Sequence, residues 1–63
     1  MNFEFYCNHE KKWVWQIVSF AGKTIALSTA SYHNKAECIA AIELLKDDLG
    51  HARIFDVVDD RWV

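Results

Sequence analysis

Proline is absent from this chain, and glycine occurs only at Gly22 and Gly50. With no proline, no low-complexity stretch and no repeat, nothing divides the sequence, so residues 1–63 read as one domain. Two isolated glycines also exclude the glycine-rich loops that cradle phosphates. Cysteine is equally scarce, at Cys7 and Cys38. The opening Met1-Asn2-Phe3-Glu4 has neither a basic start nor an apolar run, so the expected location is a reducing cytoplasm rather than a secretory route. Both thiols are therefore expected to be free and buried as small hydrophobes. No apolar stretch approaches the length of a membrane span, and no membrane association is expected.

Ligand doublets and basic clusters are missing too. Cys7 and His9 stand two apart while His33, Cys38 and His51 are scattered, so neither a metal nor any other cofactor is expected. Seven Lys and Arg against nine Asp and Glu leave a net charge of −2. Nucleic-acid binders neutralise phosphates with clustered cations, whereas Lys11 and Lys12 follow Glu10 and Lys23 stands alone, so nucleic acid is not an expected partner. Cys7, Cys38, Ser28 and Ser31 are the conceivable nucleophiles, and His9, His33 and His51 the conceivable bases. None lies in a recognised catalytic context, and no catalytic residue is assigned.

What the chain does have is apolar mass. Just over half its residues are hydrophobic and three are tryptophan. A chain of about 60 residues buries only about 60% of its unfolded surface. Some of this apolar load must stay outside a lone subunit, and large exposed patches mark partners. With disulfides and metal set aside, association with a second copy is the expected stabilising device.

The pattern of that mass predicts an α+β fold of order β-β-β-α-β. Phe3, Phe5 and Cys7 alternate with Glu4 and Tyr6, the two-residue period of a half-buried strand. Asn8 to Lys12 is polar and turn-like. Trp13 to Phe20 places Trp13, Trp15 and Ile17 on one face and Val14, Val18 and Phe20 on the other, as a central strand would. Ala21-Gly22 predicts a tight reversal, because glycine supplies the positive φ of hairpin turns. On the third strand Ile25 and Leu27 are expected inward, with Thr24, Ala26 and Ser28 opposite. Together the three strands form an antiparallel meander.

A helix follows. Asn34 is the expected N-cap and Glu37, three residues on, completes a capping box. Cys38, Ala41, Ile42, Leu45 and Leu49 make one apolar stripe at helical spacing. Ile39 sits at its edge and Leu44 roughly opposite it, positions that could touch a second subunit. Gly50 is expected to end the helix in a left-handed conformation. The β-branched and aromatic run Ala52–Val58 reads as a fourth strand, its inward face ambiguous between Ile54 and the pair Phe55 and Val57. Asp59–Val63 reads as a short tail.

Taken together, Trp13 and Trp15, the turn at Gly22, Ile25-Ala26 before Ser28, Tyr32-x-x-Lys35, the helix pattern Cys38-x-x-Ala41-Ile42-x-x-Leu45-Lys46 and the opening Phe3-Glu4-Phe5-Tyr6 resemble the YegP-like family across nearly the whole chain. The resemblance implies a β-β-β-α-β unit that, in single copy, forms a homodimer. Two units would then build one continuous sheet and exchange their C-terminal strands. It transfers no catalytic residue, since the family has no characterised activity. The chain departs from the family pattern at Val14 and Gln16, where a basic residue is frequent, and at Ala21, where Asn is. It also has a longer passage between Ile25 and Tyr32, and an acidic tail with Trp62.

Three functional readings follow from the residues. The first is a non-enzymatic homodimeric interaction module with a protein partner of unknown identity. The second is a small-ligand binder with an aromatic cleft around Trp13, Trp15 and Tyr32 at the subunit junction; packing of the two tryptophans under the helix is the competing explanation for that face. The third is an acidic regulator that docks on a basic protein through Asp47, Asp48, Asp59 and Asp60.

Overall fold

A computed structural model describes all residues, Met1 to Val63. The fold is α+β, as expected. Strands β1 (Asn2–Cys7), β2 (Trp13–Val18) and β3 (Thr24–Leu27) form an antiparallel sheet of order β1-β2-β3, followed by helix α1 (Lys35–Leu49). A separate two-stranded ribbon of β4 (Phe55–Asp56) and β5 (Arg61–Trp62) ends the chain.

The two reversals of the meander are built alike. In the first, the Asn8 N–H donates to the Lys12 carbonyl at 2.8 Å and the Lys11 N–H to the Asn8 carbonyl at 2.9 Å, while the Asn8 side chain accepts from the Lys12 N–H at 3.0 Å. In the second, Ser19, Gly22 and Lys23 repeat these bonds at 2.8, 2.9 and 3.2 Å. Both closures need a left-handed residue at the fourth position. Gly22 meets that need at φ 81°, and Lys11 meets it at φ 62° without glycine's freedom.

β1 and β2 pair regularly, with Phe3 opposite Ile17, Phe5 opposite Trp15 and Cys7 opposite Trp13. These residues share the face that α1 covers. The other face carries a polar ladder: the Gln16 amide donates to Glu4 at 3.0 Å and accepts from the Thr24 hydroxyl at 3.2 Å, and Asn2 donates to Glu4 at 3.3 Å.

β3 corrects the expected facing. Val18 pairs with Thr24 but Ile17 pairs with Ala26, so a bulge leaves Ile25 as the extra residue. One inserted residue exchanges the faces of everything beyond it. Ala26 therefore joins the helix side, and Leu27 lies opposite Gln16 on the outer side. Ile25 and Leu27 are both exposed. Ser28 follows Ala26 inward in effect, for its hydroxyl accepts from the Trp15 N–H at 3.1 Å.

The start of α1 is as expected. Asn34 Oδ1 accepts from the Glu37 N–H at 2.9 Å, and the Asn34 amide donates to the Glu37 carboxylate at 2.7 Å. The reciprocal bond thus comes from the cap's side chain rather than its backbone, because asparagine carries a donor that serine and threonine caps would have to share. Cys38 and Ile42 are buried, and Ile39, Ala41 and Leu45 half-buried. The end of the helix differs from expectation. Gly50 is right-handed (φ −66°, ψ −19°), and the chain tightens through bonds from His51 N–H to Asp48 O (3.0 Å) and Ala52 N–H to Leu49 O (3.3 Å). Three-residue closures of this kind satisfy terminal carbonyls without a left-handed cap.

The C-terminal segment is the largest correction. Ala52–Val58 is not one strand and Asp59–Val63 is not a tail; together they supply both arms of the ribbon. The Asp56 carboxylate accepts from the N–H groups of Val58 (3.0 Å) and Asp59 (3.1 Å), and Asp60 adopts φ 54° to complete the turn. Phe55 meets Trp62 edge-on at 4.9 Å, Arg53 lies 4.2 Å over the Trp62 ring, and the Val63 N–H donates to Ile54 O at 2.9 Å. The ribbon packs on no other element. The question of an inward face thus disappears within one chain: Ile54, Phe55 and Val57 are all exposed.

The core is correspondingly thin. Only Ile17, Val18, Cys38 and Ile42 are buried. Cys7 is exposed, against expectation, because it closes an edge strand where the loop begins. The Cα radius of gyration is 13.9 Å, against about 11 Å for a compact chain of this length.

Candidate functional site

The aromatic face of the sheet comes first, because it holds Trp13, Trp15 and Tyr32. Antiparallel pairing puts residues of neighbouring strands within reach along diagonals. Phe3 meets Trp15 edge-on with centroids 5.7 Å apart, and Phe5 meets Trp13 tilted at 5.9 Å. Beyond β3 the chain arches out and returns at Tyr32, which exchanges both backbone hydrogen bonds with Trp13 at 2.8 Å. Trp13 and Tyr32 are therefore direct cross-strand neighbours, and Trp15 lies two residues along β2. All three are half-buried. The structure brings the three candidates onto one patch, where the two indoles are engaged by Phe3 and Phe5.

The concave feature of the molecule lies elsewhere. A groove of about 600 Å³ runs between β1 and α1, lined by Met1, Phe3, Phe5, Ile39, Ile42 and Leu49 with Asn2 and Lys46. None of Trp13, Trp15 and Tyr32 lines it. It exists because β1 is the outermost strand of the sheet, and α1 leans over it without a further strand beneath. The Lys35 ammonium sits 5.7 Å over the ring of Phe5, and Lys46 is part of the lining. The groove is thus mostly apolar, with Asn2 and Lys46 as its polar members. The sequence placed Phe3, Phe5, Ile42 and Leu49 on apolar faces and Ile39 at the border of the helix stripe; that they line an open groove was not readable, since it depends on β1 being an edge.

The titratable groups offer little chemistry. Burial pushes the Cys38 thiol above its ordinary value, so it stays protonated and unreactive at neutral pH. His33, Asn34 and Glu37 are exposed, and Asn34 and Glu37 are occupied in capping. No three His, Cys, Asp or Glu side chains converge on a point where an ion would sit. No helix is long and apolar enough to cross a membrane. Comparison of the chain with family models, with curated proteins and with solved structures gives no match.

Proposed function

We propose that this protein is a non-enzymatic interaction module that works as a homodimer, its C-terminal segment exchanged between the two chains. The observation that carries the reading is surface area. The chain exposes 5285 Å², whereas a compact monomer of its mass exposes about 4,200 Å². The excess, roughly 1,100 Å², exceeds the ~800 Å² that each partner contributes to a standard interface. Much of it is apolar: Val57 and Val58 are 81% and 92% exposed, and Ile25, Leu27, Leu44 and Ile54 are also out. The resemblance to the YegP-like family supports the same arrangement. Light scattering coupled to size exclusion tests it. The expected mass is twice the 7.3 kDa of one chain; a folded monomer at micromolar concentration contradicts the proposal.

The reading as a ligand binder at Trp13, Trp15 and Tyr32 has less support, since Phe3 and Phe5 already occupy the indoles. Its test is tryptophan fluorescence against a metabolite panel, where the absence of any saturable change retires it.

A further inference from the structure

We propose that the groove between β1 and α1 binds a free single-chain carboxylate of the fatty-acid class, its tail along the strand and its head at Lys46. The proposal is independent of the homodimer reading and concerns a different surface from Trp13, Trp15 and Tyr32.

The groove is made of two facing rows. Met1, Phe3 and Phe5 stand two apart along the strand, so they share the helix side of the sheet. Ile39, Ile42, Lys46 and Leu49 follow at spacings of three, four and three, which is one face of a helix. No strand lies beyond β1, so the space between the rows stays open, with a volume of about 600 Å³. That falls within the roughly 300–1,000 Å³ of small-molecule sites.

The rows also have a direction. Lys35, at the start of α1, lies over Phe5, so the helix begins beside Phe5 and runs toward Met1. From Ile39 to Lys46 the helix rises about 10 Å, and from Phe5 back to Asn2 the strand covers about 10 Å. Both polar members of the lining therefore gather at one end, with Phe5 and Ile39 at the other. One polar end and an apolar length match a ligand with one head and one tail. They do not match a ligand that is polar throughout.

The sign of the head follows from Lys46. It is the only charged member of the lining, and no side-chain hydrogen bond of the structure reaches it. Glu43, on the preceding turn of the helix, and Glu4, which accepts from the Asn2 amide, both lie outside the lining. A carboxylate head gives the ammonium a charge-assisted partner, and the tail removes apolar surface from water on both sides of the contact. The site is a trough between a strand and a helix, so it takes a free chain rather than the flat surface of a bilayer.

Titration of the full chain with decanoate, decanol and decylamine, each below its micellar concentration, tests the proposal by calorimetry and methyl NMR. Decanoate is expected to bind tightest, decanol at least threefold more weakly, and decylamine weakest. Shifts should concentrate on the methyls of Met1, Ile39, Ile42 and Leu49 and spare Ile25, Leu27 and Val57, which are exposed elsewhere. Lys46→Gln should bring decanoate to the level of decanol, and Lys46→Glu should invert the order so that decylamine exceeds decanoate. Lys46 is exposed, so both variants keep the fold. Binding that ignores the charge of the head, or shifts spread over Ile25, Leu27 and Val57, would overturn the proposal, as general adsorption to apolar surface. Absence of binding by all three probes would overturn it equally. Light scattering on the same samples reads the oligomeric state separately, so a failure here leaves the homodimer standing, and a monomer leaves the groove assignment standing.

Discussion

Lys11 and Gly22 occupy equivalent places in two hairpin closures that share their hydrogen bonds, which makes them a matched pair for measuring backbone strain. A side chain in the left-handed region costs about 1–2 kcal/mol, so Lys11→Gly is expected to stabilise the fold by about 0.5–1 kcal/mol once the greater freedom of the unfolded glycine is counted. Gly22→Ala is expected to cost about 1 kcal/mol or more. No atom lies within 4 Å of the Cβ it would add, so that loss is conformational rather than steric. Urea unfolding of both variants checks the opposite signs. The thiols give a second residue-scale expectation. Cys7 is exposed and should react promptly with a thiol reagent, while Cys38, with none of its surface exposed, should react only on unfolding. Because burial raises the Cys38 value in the folded state, its ionisation favours the unfolded chain. Its contribution is fully present below pH about 8.5, the ordinary thiol value, and declines as pH rises toward the folded one. Comparing stability from pH 7 to 10 in the protein and in Cys38→Ala isolates that decline, which the variant should lack.

At the scale of elements, the helix start has the most direct test. Asn34→Ala removes both the acceptor for the Glu37 N–H and the donor to its carboxylate, and should cost about 1 kcal/mol of stability. Asn34→Asp keeps the acceptor but faces Glu37 with a like charge, so its loss should be smaller and should be recovered by adding Glu37→Gln. Thermal unfolding of the three variants decides the order. That cap was legible in the sequence because its signal is local, as were the hairpin at Gly22 and the helix stripe. The facing of β3 was not. Regular pairing out of the Ser19–Lys23 turn puts Ile25 and Leu27 inward, and only the bulge, which no residue type announces, moves Leu27 out. The fourth strand failed for another reason. A β-branched run such as Ile54-Phe55-Asp56-Val57-Val58 shows that a segment will pair, not with what. Asp56 turns the chain back, and Trp62 supplies the ring that Phe55 packs on. For the candidate site, alternation was enough to put Trp13 and Trp15 on one face. The groove was hidden because it follows from strand order, a property of the whole sheet.

For the whole molecule, the decisive quantity is how much surface one copy leaves uncovered. If a second copy covers it, folding and association are linked, and the thermal midpoint should rise with protein concentration. A midpoint constant across a hundredfold range of concentration would show that one chain holds itself up. The polar ladder on the back of the sheet has a consequence for strand register. Glu4 stands directly opposite Gln16, and Thr24 reaches the same amide from the other neighbouring strand. Sliding β1 by a single residue would set the Glu4 carboxylate against Trp15 or Ile17, and turn Phe3 and Phe5 toward water. The polar ladder and the apolar face thereby select the same alignment, and the helix packs over the face that this alignment leaves apolar.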